Sequence, residues 1–198
     1  MNWNTEGPDE STAAESPQAS ILVEHEFDNS VAHKESTTMI RIVKTGLIIT
    51  VVLWGIFGAL GNVLHWDETL GAVAAVTSMV TFEGGAESWQ ATSNPLVLWL
   101  GALFIMLSKL SASLLCMVGA GRMWQSRNGS VADFAAAKSI ALAGCGIAVI
   151  MLFGGFIVIA ESWFELWRSE SMSAVLTADV RYGSMIALIG IFVAMPDD

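Results

Sequence analysis

The feature that most constrains this chain is an apolar stretch from Pro95 to Ala120, in which Lys109 is the single ionisable side chain. A helix of about 20 apolar residues crosses the roughly 30 Å hydrocarbon core of a bilayer, and this stretch is longer. Helices and closed barrels are the structures that satisfy their backbone hydrogen bonds inside lipid. The stretch therefore predicts a membrane-spanning helix.

Three other segments repeat this pattern, so the fold class predicted is an all-α membrane protein. We expect four transmembrane helices in an antiparallel bundle, with crossings at about 42–64, 95–120, 139–160 and 176–195. Between the first two crossings, Leu70, Val73, Val76 and Val80 recur at spacings of three to four residues. That spacing predicts a short amphipathic helix on the membrane surface.

The acidic charge of the chain is concentrated before the first crossing. Eight of the 19 acidic residues precede Met39, and the net charge is -10. Residues 1–38 are therefore expected to form an acidic, disordered cytoplasmic tail, and 39–198 the membrane domain. An alternative is that Met39 is the biological start. Acidic charge without a basic patch argues against nucleic-acid binding.

The distribution of basic residues predicts the orientation of the bundle. Six basic residues fall on one side of the predicted membrane and two on the other, and basic residues favour the cytoplasmic side. We therefore expect both termini in the cytoplasm and a bacterial inner-membrane location. The larger group is Lys34, Arg41, Lys44, Arg122, Arg127 and Lys138; the smaller is Arg168 and Arg181.

Lys109 is the main candidate for function, because intramembrane cations usually face a bundle interior. No acidic residue is expected at its depth in the other crossings, and the Trp54 ring is a candidate neighbour. Three readings stay open: a charge-handling group, a contact to an acidic group on a partner subunit, or a tolerated lysine whose side chain extends to the membrane surface.

Small residues predict close helix packing, within the chain or between two copies of it. One group, in the first crossing, is Gly55, Gly58 and Gly61; the other, in the second crossing, is Ala112, Cys116 and Ala120. Tryptophans at the predicted helix ends indicate an interfacial belt. They are Trp66, Trp124, Trp163 and Trp167.

No catalytic, cofactor or metal site is predicted. Cys116 and Cys145 are too few thiols for a structural zinc site, and the histidines lie outside the crossings. Glu161 and Glu165, one helical turn apart, are either a cation or acid–base site or a solvated helix end with Arg168 as partner. We therefore expect a protein that is not an enzyme.

Several short motifs together resemble a known family, over about Met39 to Asp197. They are MIRIVKT from Met39, the run from Val73 to Phe82, the segment ending Arg122-Met123-Trp124, Ala137-Lys138, the block Trp163-Phe164-Trp167, and the ending Met195-Pro196-Asp197. The family is that of the bacterial predicted small integral membrane proteins, number two-one-six-five of the domains of unknown function. The resemblance implies a four-helix inner-membrane protein with no assigned activity.

Three positions depart from that family resemblance. It implies an acidic residue in place of Lys109, an aspartate in place of Val80 and a histidine near Ala75. Because Lys109 is expected to lack a counter-charge within the chain, we predict an accessory or scaffolding subunit that contacts lipid, other membrane-protein subunits or a second copy. The alternative is a small transporter or channel that uses Lys109 to handle charge.

Overall fold

A computed structural model describes the backbone of residues 17–197 and the side chains from His33 onward. It divides into two units, residues 1–37 and 38–198. The described part is helical and contains no strands. Its α-helices are α1 (Pro17–Leu64), α2 (Trp66–Thr77), α3 (Pro95–Ser126), α4 (Val131–Val149) and α5 (Ser173–Ala194).

Among the described residues, four segments are long and apolar enough to cross a membrane. They are His33–Leu64, Pro95–Ser126, Val131–Trp163 and Glu170–Ala194. The predicted fold class, four spanning helices with a short helix after the first, is thereby confirmed.

The predicted disordered tail, residues 1–38, stays a prediction. Helix α1 begins at Pro17, whereas residues 1–16 lie outside the described residues. No proline or glycine interrupts the sequence between Pro17 and Gly46, and many residues in between tolerate helix well. This helical propensity is consistent with the start of α1 at Pro17.

Two helix starts follow local rules. Asn94 caps α3 by accepting a hydrogen bond from the Leu96 backbone at 2.9 Å, and Pro95 occupies the first turn. Ser130 and Asp133 form a capping box at the start of α4, as their spacing predicts.

The helix α4 continues as a π-helical segment over Ile150–Trp163. Hydrogen bonds here join residues that are five apart in sequence. The Phe164 backbone N–H donates to the Ile159 carbonyl oxygen at 3.0 Å, and the Ser162 hydroxyl donates to the Ile157 carbonyl oxygen at 2.9 Å. Two 3₁₀ turns, Leu166–Arg168 and Glu170–Met172, lead into α5, and a third lies at Gly85–Glu87 after α2.

Helices α3 and α4 pack closely against each other. A Cβ atom at Gly144 would lie 2.6 Å from Cys116 Sγ and 2.8 Å from the Ala112 carbonyl oxygen. One at Gly119 would lie 2.6 Å from Ala141 Cβ. Only glycine permits this backbone approach, so these contacts fix the relative positions of the two helices.

Candidate functional site

A cavity of about 590 Å³ lies where α2 covers the ends of the spanning helices. We call this end of the bundle the cap end. The end of α1, α2, α3, the π-helical segment and the start of α5 all contribute to the cavity wall. Most of the wall is apolar, including Val73, Leu100, Phe104, Ile105 and Phe156.

Lys109 is one of the residues that line this cavity. Its Nζ donates a hydrogen bond to Asn62 Oδ1 at 3.0 Å. Gly58 leaves room for the lysine stem, because a Cβ there would lie 3.1 Å from Lys109 Cδ. The side chain thus extends from Gly58 towards Asn62, two residues before α1 ends at Leu64.

The Lys109 ammonium lies nearer to a helix end than the Lys109 backbone does. Lys109 is near the middle of α3, but Asn62 is only roughly 3 Å of helix axis from the last residue of α1. The side chain therefore extends towards the end of α1, and the three hypotheses for Lys109 stay predictions.

Asp179 corrects the expectation that Lys109 has no counter-charge in the other crossings. This residue of α5 is nine-tenths buried, and its carboxylate interacts electrostatically with Lys109. The two groups are not within the 4.0 Å of an ion pair. Among the described residues, Asp179 Oδ2 has no hydrogen-bond partner. Sequence reasoning missed it because Asp179 lies upstream of the strongly apolar run from Tyr182 to Met195.

Other polar groups lie at the cavity wall. His65 and Glu68 are both exposed, and their side chains approach to 3.5 Å. Thr77, the last residue of α2, is only 6% exposed, and within the described part of the chain its hydroxyl has no hydrogen-bond partner. A buried unpaired hydroxyl is costly unless water or a ligand bonds to it.

The opposite end of the bundle, which we call the lysine end, contains a closed charge cluster. Lys44 of α1 and Lys138 of α4 both bond to the buried Asp197 carboxylate, Lys44 at 2.6 Å. Both ammonium groups also donate to the Met195 carbonyl oxygen, at 2.7 and 2.9 Å. Three segments of the chain are therefore held together by two cations and one anion.

The electrostatics of Asp197 follow from these contacts. Burial disfavours its charged form, but hydrogen bonds from Lys138 and Lys44 and the positive charge of both lysines outweigh that cost. The pKa of Asp197 consequently lies below its usual value.

Arg41 ties α1 to the α3–α4 connection at the same end of the bundle. Its guanidinium donates to the carbonyl oxygens of Arg127 and Gly129 at 3.2 and 2.8 Å. It also lies 5.0 Å from the centre of the Phe134 ring. These contacts join the loop to the lysine end independently of Asp197.

The small residues identified in the sequence occupy several different environments. Positions 55 and 58 lie against α3, whereas a Cβ at Gly61 would meet nothing within 4 Å. Ala112, Cys116 and Ala120 are buried in the core, the first two beside Gly144.

The aromatic candidates are also distributed over both ends. Trp54 packs against Tyr182 with ring centres 6.2 Å apart, and in the described part of the chain no cation lies over its ring. Trp66 pairs with Trp99, Trp163 with Trp89 and Trp124 with Arg127, while Trp167 is 65% exposed.

The acidic and thiol side chains considered in the sequence analysis do not line the cavity. Glu165 pairs with Arg168 at 2.8 Å, and Glu161 is not part of the cavity wall. Cys116 and Cys145 are buried free thiols. Within the described residues, no group of three or more histidine, cysteine or acidic side chains is placed to hold a metal ion.

Sequence reasoning missed Asn62 and Asp197 as partners of the lysines. Asn62 had a recognisable signal, since it is an amide near the end of an apolar crossing. Asp197 appeared only as part of the Met195-Pro196-Asp197 ending, and the pairing with two distant lysines depends on tertiary structure.

Comparison with known proteins gives one match. The family model described as predicted small integral membrane protein (DUF2165) matches residues 40–196. No curated protein and no solved structure matches this chain.

Proposed function

We propose, for a chain that belongs to the DUF2165 family of predicted small integral membrane proteins, a function in binding a membrane-soluble amphipathic molecule. The observation that carries the proposal is the apolar cavity at the cap end, which contains Lys109 and Asn62 on its wall. Ligand sites are typically concave and apolar, with a few polar groups that orient the ligand, and have volumes of roughly 300 to 1,000 Å³.

Unsatisfied polar groups support the same proposal. The Thr77 hydroxyl is buried at the cavity wall and lacks a partner among the described residues. Lys109 donates one hydrogen bond to a side chain, although an ammonium has three N–H groups. A ligand with an apolar body and a polar head would match both the wall and these free bonding positions.

A cavity-filling substitution tests the proposed binding role. Ala72 lines the cavity, so Ala72→Phe should weaken binding of the neutral, environment-sensitive dye Nile red to the purified protein in detergent. Ala74→Phe is a matched control, because Ala74 lies on the same helix and outside the wall. Equal dye titrations for wild type and both variants would refute the proposal.

The accessory or scaffolding role loses its main argument. That role is predicted from the expected absence of a counter-charge for Lys109 within the chain, whereas Asp179 of α5 interacts with Lys109 electrostatically. Native mass spectrometry of protein extracted from membranes tests what remains of that role. A stoichiometric protein partner, or a second copy, would restore it.

A small transporter or channel remains the second candidate. The observation in its favour is the presence of two ionisable side chains, Lys109 and Asp179, inside the bundle. Such groups often mark ion or substrate paths. Solute flux into proteoliposomes that disappears with Lys109→Met would support transport, and flux unchanged by that variant would exclude this mechanism. Neither role requires catalysis, and we propose that the protein is not an enzyme.

We also propose that the lysine end faces the bacterial cytoplasm. Arg41, Lys44, Arg127 and Lys138 all lie at that end of the bundle, and basic residues favour the cytoplasmic side. Reporter fusions after Arg127 test this orientation, because a periplasmic reporter signal at that loop would contradict it.

A further inference from the structure

We infer that the ligand of the cavity is a single-chain lipid with an anionic headgroup, a carboxylate or a phosphate, held by Lys109. This inference rests on the proposed binding function and adds the chemical class of the ligand. It concerns Lys109 on the cavity wall and the charges around it.

The first step concerns the hydrogen bonding and the charge of the Lys109 ammonium. Its hydrogen-bond partner in the structure is an amide, Asn62, which satisfies one N–H group without cancelling the positive charge. Gly58 and Asn62 together direct the side chain, so that the ammonium is held in one place at the wall. An anionic group bonded to such a cation gains a charge-assisted hydrogen bond, which is about twice as strong as a neutral one.

The second step concerns competing acidic groups. Asp179 interacts with Lys109 over a distance longer than an ion pair and does not line the cavity. Glu68 lines the cavity but is exposed and approaches His65. Neither carboxylate occupies the hydrogen-bonding positions of Lys109, so those positions are open to an anion from the ligand.

The third step is the geometry of head and tail. The ammonium lies close to the level at which α1 ends, so a headgroup there would be near the membrane boundary. Phe104, Ile105 and Phe156 supply the adjacent apolar wall for a hydrocarbon chain. A cavity of about 590 Å³ has room for one chain with its head and not for a two-chain lipid in full.

Competition between two ligands of equal chain length tests this inference. Oleate and oleyl alcohol differ only in their headgroup, and each would be titrated against Nile red bound to the full-length protein. We expect oleate to compete roughly tenfold or more better than oleyl alcohol, because a hydrogen bond between charged groups supplies that difference. Equal competition by the two ligands would overturn the inference while leaving the binding function intact.

Variants at two positions assign the difference to Lys109. Lys109→Met should reduce the ratio between oleate and oleyl alcohol to about one, and Lys109→Arg should keep it. Asp179→Asn should increase the ratio, because Asp179 partly offsets the lysine charge. A ratio that survives in Lys109→Met would overturn the inference, provided that the variant still binds Nile red.

A third ligand shows whether the cavity prefers a carboxylate or a phosphate headgroup. Oleoyl lysophosphatidic acid has the same chain with a phosphate head, and its competition relative to oleate identifies the preferred group. Loss of Nile red binding in Ala72→Phe, with no charge preference in wild type, would keep the cavity as the binding site and exclude an anionic ligand.

Discussion

The two ends of the bundle treat buried cations in opposite ways. At the lysine end, Lys44 and Lys138 share the Asp197 carboxylate and the carbonyl oxygen of Met195. At the cap end, Lys109 has one amide partner, a distant carboxylate and an apolar cavity beside it. Lysines that are paired with a buried carboxylate indicate a structural role. A lysine beside a cavity with one hydrogen-bond partner indicates a place for a ligand.

The largest effect is expected at the lysine end. Asp197→Asn leaves two buried cations without a counter-charge, which costs about 3 kcal/mol by analogy with broken buried ion pairs. For a chain of this size, that free energy corresponds to a fall in melting temperature of roughly 6 to 12 °C.

Thermal unfolding in mild detergent measures this effect of Asp197→Asn. The matched control is Asp67→Asn, since Asp67 is exposed in the first turn of α2. If both variants melt at the same temperature, the Asp197 cluster does not stabilise the fold.

Acid should also reduce the stabilisation that the Asp197 carboxylate provides, by less than Asp197→Asn does. The pKa of Asp197 is lower in the folded protein than its unfolded value of 3.8, because the hydrogen bonds from Lys138 and Lys44 outweigh the effect of burial. The stabilisation is therefore fully present above about pH 3.8 and decreases as the pH falls through the folded pKa.

Melting temperatures of wild type and Asp197→Asn at a series of pH values test the linkage. Their difference should be constant from neutral pH to about pH 5 and should narrow below pH 3.8. A difference that widens in acid would show that the folded pKa is raised rather than lowered.

The smallest effect is expected from Lys109→Met. Lys109 donates one hydrogen bond to a neutral amide, so replacing it breaks few interactions, and methionine removes a cation from a mostly apolar wall. We expect a net change below about 1 kcal/mol, or roughly 2 to 4 °C. Lys44→Met is the same chemical change at the lysine end and should destabilise far more. Equal losses in the two variants would remove the distinction between the ends.

Much of the fold follows from the sequence because each relevant signal is local. Apolar length predicts the crossings, Asn94 and Pro95 mark the start of α3, and Ser130 with Asp133 marks the start of α4. These signals act within one helical turn or one membrane thickness, and no distant residue is needed to interpret them.

The partners of the lysines could not be predicted in the same way. Lys44 and Asp197 are 153 residues apart, and Lys109 and Asn62 are 47 apart. Such pairs depend on helix rotation and on close approaches at glycines such as Gly58, which determine where a side chain lies. The π-helical segment was missed as well, because its composition is that of any apolar crossing.

That π-helical segment has a consequence for the match between protein and bilayer thickness. The span Val131–Trp163 has 33 residues and as a regular α-helix would be roughly 50 Å long, well beyond a hydrocarbon core of about 30 Å. Wider turns place more residues in each unit of length, so winding Ile150–Trp163 in this way shortens the span. Hydrophobic mismatch is thus reduced by helix geometry itself, in addition to any tilt of the helix.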